Sequence, residues 1–92
     1  MYENCPVVLN MVRSILRDGY FDEDEREAKV IRYDEEEGML YLSVESYDLP
    51  EYSLDAIYEC RLKAEEEVAC LGMIKERYQN GDGYIIKYKI QN

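Results

Sequence analysis

The chain has 92 residues, enough for a single domain over 1–92 with a limited core. It carries 21 acidic residues against 11 basic ones and no histidine, a formal net charge of −10, which disfavours nucleic-acid phosphates and anionic membrane surfaces as partners. Hydrophobic residues make up 47% and stand in short runs between charged ones, the pattern of a folding domain and not of a disordered tail.

From residue 5 onward the apolar spacing predicts a helix. At helical spacing Val8, Leu9, Met11, Val12, Ile15 and Leu16 fall within an arc of about 160°. Asn10, Arg13, Ser14, Arg17 and Asp18 fill the opposite arc. Strand alternation would instead put Arg13 and Arg17 beside Leu9, Met11 and Ile15. Pro6 suits the first helical turn and Gly19 the position just past the end, so the expected helix runs over 5–18. An acidic loop, Asp22 to Glu25, follows.

Five strands are expected after it, over 27–33, 39–45, 55–63, 68–79 and 83–91. The first two flank a turn, Asp34 to Gly38, in which Gly38 is available for a left-handed residue. Pro50 marks a loop over 47–54. Ala56, Tyr58, Cys60 and Leu62 alternate with Glu59 and Arg61, and Lys63 to Glu67 turns the chain. Gly72, in the middle of a long run, predicts a bulge or sharp bend. Asn80-Gly81 predicts a tight type I′ hairpin turn, and Tyr84, Ile86, Tyr88 and Ile90 alternate in the last strand. Short links imply antiparallel neighbours. The fold class is therefore mainly β (α+β): an N-terminal helix followed by a five-stranded antiparallel sheet, curled or barrel-like.

No catalytic residue is assigned. Without histidine, Cys5, Cys60 and Cys70 have no imidazole to activate them. Cys60 and Cys70 alternate with apolar residues and read as core thiols. Acidic pairs abound, but they fall in turns, where carboxylates stay solvated. Asp22-x-Asp24 fails as a calcium loop, because Arg26 and Tyr33 stand at ligand positions. The cysteines lack zinc spacing, and no glycine-rich phosphate loop is present. No metal and no cofactor are expected. An odd cysteine count, with no basic and apolar leader at Met1 to Asn4, predicts free thiols and a cytoplasmic location. No apolar run approaches the ~20 residues of a membrane span. Most of the ten tyrosines are expected in the core or at its rim, with the hydroxyl at water.

Two short patterns carry a family resemblance. Arg13-Ser-Ile-Leu-Arg17 matches R-x-x-x-R, and Glu51-Tyr-Ser53-Leu-Asp-Ala56 resembles [D/N]-x-S-x-x-G, with glutamate for aspartate and alanine for glycine. In that order they resemble the PilZ domain, a small β-barrel that binds cyclic di-GMP, over about residues 13–90. The resemblance implies a barrel and a ligand set of Arg13, Arg17 and Ser53.

The function expected is a non-catalytic binding or regulatory module that acts through protein contacts in a cyclic-dinucleotide signalling context. The alternatives are a module that binds the dinucleotide itself and an acidic inhibitor that mimics nucleic acid. The helix face formed by Val8, Met11, Val12, Ile15 and Leu16 is the expected interface, with a second copy as its simplest partner.

Overall fold

The structure, a computed structural model, describes residues 4–14, 25–45, 52, 54, 56–81 and 83–91, with 13 and 14 by backbone alone. Six strands fill these stretches: β1 (Pro6–Ser14), β2 (Arg26–Asp34), β3 (Met39–Val44), β4 (Ala56–Lys63), β5 (Glu67–Asn80) and β6 (Gly83–Ile90). They close into a barrel in the order β1-β2-β3-β6-β5-β4, every neighbouring pair antiparallel. β2 to β6 stand where the five strands were expected.

The expected helix over 5–18 is not formed within the described residues; 6–14 are β1 instead. Val7, Leu9 and Met11 point into the barrel and are buried, while Val12 is exposed. The alternation that argues against a strand is reset by a bulge: Met11 pairs with Tyr58, but Arg13, two residues on, pairs with Ile57. Val12 is the extra residue, so the parity of the chain changes there. Helical and extended spacing coincide over so few apolar residues. Closure decides between them, because β1 bonds both β2 and β4 and removes both edges of the five-stranded sheet. Pro6 sits at the first residue of the strand, where a missing N–H is tolerated. Residues 15–18 and Gly19 lie outside the described residues.

Apolar side chains of the described residues fill the barrel interior. Leu40, Leu42 and Val44 from β3, Ala56, Tyr58, Cys60 and Leu62 from β4, and Ile86 and Tyr88 from β6 are buried on the faces their alternation assigns. Among the described residues no polar or charged residue is buried with them. Tyr88 spans this core: its hydroxyl donates to the carbonyls of Tyr58 at 2.8 Å and Cys70 at 3.4 Å. Its hydroxyl is satisfied by backbone carbonyls inside the core.

Gly72 is required, though for a reason other than a bulge. The register break in β5 lies between Ile74 and Glu76. Gly72 itself lies under Tyr88, where an added Cβ would meet the Lys89 carbonyl oxygen at 2.1 Å and the Tyr88 ring at 2.8 Å. The β2–β3 turn is as expected, with Gly38 at φ 63° and the Glu37 N–H donating to Asp34 Oδ1 at 3.2 Å. The β5–β6 turn differs. Asn80 pairs with Gly83, neither Asn80 nor Gly81 has a positive φ, and the positive φ of 108° falls on Gly83. The type I′ geometry expected at Asn80-Gly81 is therefore absent.

Candidate binding surface

One end of the barrel holds the described parts of both family-like patterns. Ser14 and Ala56 are register partners across β1 and β4, and Arg13 pairs with Ile57. The first pattern thus leaves β1 beside the point where the second enters β4. Arg17 and Ser53 lie outside the described residues, as does the Arg13 side chain. Tyr52, from the second pattern, is fully buried, its ring 6.0 Å from that of Tyr58. The Arg26 guanidinium lies 6.0 Å from the Tyr52 ring, and Arg77 donates to the Tyr52 carbonyl. Tyr52 closes this end of the core, and Leu54 beyond it is exposed.

The residues expected to form an interface do not share one face. Met11 is inside the barrel, Val8 is half-buried and Val12 is exposed at the bulge. The helical stripe dissolves because an extended backbone sends adjacent residues to opposite sides. Ile15 and Leu16 lie outside the described residues.

A different group gathers on the outer wall. Arg32, Tyr41 and Lys87 are register neighbours across β2, β3 and β6. The Arg32 guanidinium lies 4.5 Å from the Tyr41 ring centroid and the Lys87 ammonium 5.8 Å from it. Both distances suit cation–π attraction, which holds the charges against a half-buried ring. Asp34 Oδ2 is 3.6 Å from Arg32, and Lys89, next outward on β6, donates to the Glu37 carbonyl. Lys29 and Ser43 form the row below. In a chain of net charge −10, this wall collects cations around one aromatic. A sequence signal for it exists. Counting outward from the Asp34-to-Gly38 turn sets Asp34 opposite Met39 and Tyr33 opposite Leu40. A one-residue bulge between Val30 and Arg32 leaves Arg32 opposite Tyr41 undisturbed.

The opposite wall carries exposed ion pairs. Arg61 Nη2 lies 2.6 Å from Glu25 Oε1, and that bond raises the already high guanidinium pKa. Lys63 bonds Glu67 and lowers its carboxyl below the ordinary value. These solvated pairs tie strand ends together without forming a pocket.

Inside, Cys60 and Cys70 face each other across β4 and β5, and Cys70 Sγ is 3.6 Å from the Cys60 carbonyl oxygen. Hydrogen bonding with Cys70, together with burial, pushes the Cys60 thiol up. The same bond holds Cys70 below its ordinary value, with help from the Tyr88 hydroxyl against the opposing effect of burial. Among the described residues no group of three or more metal-ligating side chains gathers, and no helix is long and apolar enough to cross a membrane. Compared with family models, with curated proteins and with solved structures, the chain matches none.

Proposed function

We propose that this protein is a non-catalytic binding module that acts through its outer barrel wall on a protein partner presenting acidic side chains. The carrying observation is the Arg32–Tyr41–Lys87 row, a cation-flanked aromatic on an otherwise acidic molecule. Aromatic and arginine side chains are the common anchors of protein-recognition surfaces. Capture of partners from the source cell lysate tests it. Wild-type protein should retain a partner that Tyr41→Ala and Lys87→Glu both lose while melting at an unchanged temperature. Capture that survives both substitutions would sink the reading.

A second reading has its own support. The pairing of Ser14 with Ala56 brings the described ends of the two family-like patterns to one barrel end, as a cyclic di-GMP site built from Arg13, Arg17 and Ser53 requires. Calorimetric titration with cyclic di-GMP is the check. Binding that Arg13→Ala abolishes supports this reading, and no heat at saturating ligand refutes it.

A further inference from the structure

We infer that Cys60 and Cys70 are an oxidisable cross-strand thiol pair, a modification site at which hydrogen peroxide forms an internal disulfide between β4 and β5. The two residues are direct register partners in an antiparallel ladder. Such partners have Cα atoms roughly 4.5–5.5 Å apart, inside the range of about 4.4–6.8 Å that a disulfide spans. Both residues are buried in the barrel core, and the Cys70 thiol donates to the Cys60 carbonyl oxygen at 3.6 Å. Bond formation therefore needs little backbone movement.

The chemistry divides between the two sulfurs. Both residues are buried, Cys60 at 0% exposure and Cys70 at 8%, so Cys70 lies nearer the surface and is the first sulfur a small oxidant meets when the barrel breathes. Hydrogen bonding with Cys60, and secondarily with the Tyr88 hydroxyl, lowers the Cys70 thiol from its ordinary value against the opposing effects of burial and Glu59. The Cys70 thiolate attacks one peroxide oxygen, the O–O bond breaks, and hydroxide leaves to take up the thiol proton as water. Cys70 is now a sulfenic acid. Cys60 sulfur then attacks it, the S–O bond breaks, and a second water leaves with the Cys60 proton. Two thiols are oxidised, one peroxide is reduced, and a disulfide remains. Cys5 is the competing thiol. It is half-buried just before β1, packed against the core, and its thiol donates to the Pro6 carbonyl at 3.4 Å.

Peptide mapping tests this on the intact chain. Trypsin separates the three cysteines into fragments 1–13, 33–61 and 64–75. After a modest excess of peroxide on the native protein, fragments 33–61 and 64–75 should appear joined, lighter by two hydrogens and separable by dithiothreitol. The oxidised protein should melt several degrees higher, because the bond restricts the unfolded chain. In Cys60→Ser, a dimedone adduct should accumulate on Cys70, while Cys5→Ser should crosslink as wild type does. Two results would overturn the inference: oxidation confined to Cys5 with the other two still alkylatable after unfolding, or sulfinic acid at Cys70 without the crosslink. The wild-type map needs no substitution, so a variant that fails to fold leaves the test intact.

Discussion

At Gly81 an added Cβ meets nothing within 4 Å, and its φ is not positive, whereas Gly83 holds a φ of 108° that other residues rarely adopt. The two glycines of this turn should therefore respond oppositely to substitution. Gly81→Ala should change stability by no more than about 0.5 kcal/mol, like other exposed changes. Gly83→Ala should cost about 1–3 kcal/mol through backbone strain. Chemical denaturation of the two variants checks the pair. Tyr88 makes a second residue-scale case. Burial pushes its phenol well above the ordinary value of 10.0. The unfolded chain releases this proton near the ordinary value and the folded one holds it, so the protonated phenol's stabilisation is complete below pH about 10 and fades as pH rises beyond it. Tyr88→Phe should cost about 1–2 kcal/mol at neutral pH, since the carbonyls of Tyr58 and Cys70 lose their donor. It should also flatten the loss of stability above pH 10. Denaturant midpoints measured against pH would show both effects; an unaltered alkaline slope would mean Tyr88 ionises in the folded state.

At the scale of the element, β1 carries the most information. Its alternation up to Met11 and its bulge at Val12 predict a contrast between neighbours. Met11→Glu buries a charge without a partner and should unfold the protein, a cost above about 4 kcal/mol. Val12→Glu should leave the melting temperature nearly unchanged. Equal effects would mean that the two side chains share one face, as in a helix. β2 to β6 were legible in the sequence because each pairs a period of two with a glycine-containing or charged turn. β1 was not, because its short apolar run fits both periods and the deciding fact is a bond to β4, more than 40 residues away. The candidate site was partly legible in the same way. The Cys60–Cys70 pairing follows from counting outward from the turn between Lys63 and Glu67. The Arg32–Tyr41–Lys87 row also needs the β3–β6 pairing, which no local turn sets. The Asn80-Gly81 turn was misread because the composition of a turn does not say which of its glycines carries the positive φ.

At the scale of the whole molecule, charge and closure work against each other. With 21 acids against 11 bases the chain repels itself, and a compact state brings like charges closer than an unfolded one does. Stability should rise as sodium chloride increases from low to physiological strength, because screening relieves that repulsion over about 8–10 Å. A melting temperature that falls over the same range would show that local ion pairs, such as Arg61 with Glu25, outweigh the net charge.

Closure also has a consequence in time. Four antiparallel pairs, β1–β2, β2–β3, β4–β5 and β5–β6, join neighbours in sequence and can form early. The β3–β6 and β1–β4 pairings join residues about 40 to 55 positions apart, so two separate ring-closing events must follow. Each pays loop entropy before any contact repays it, and refolding should take milliseconds to seconds, the range of about 10⁻³ to 1 s seen for non-local β topologies. β1 leaves the ribosome first yet has no complete site until β4 exists. During synthesis it is a waiting strand, and a nascent chain stopped before residue 63 should remain sensitive to protease at 6–14, while the released chain resists it there.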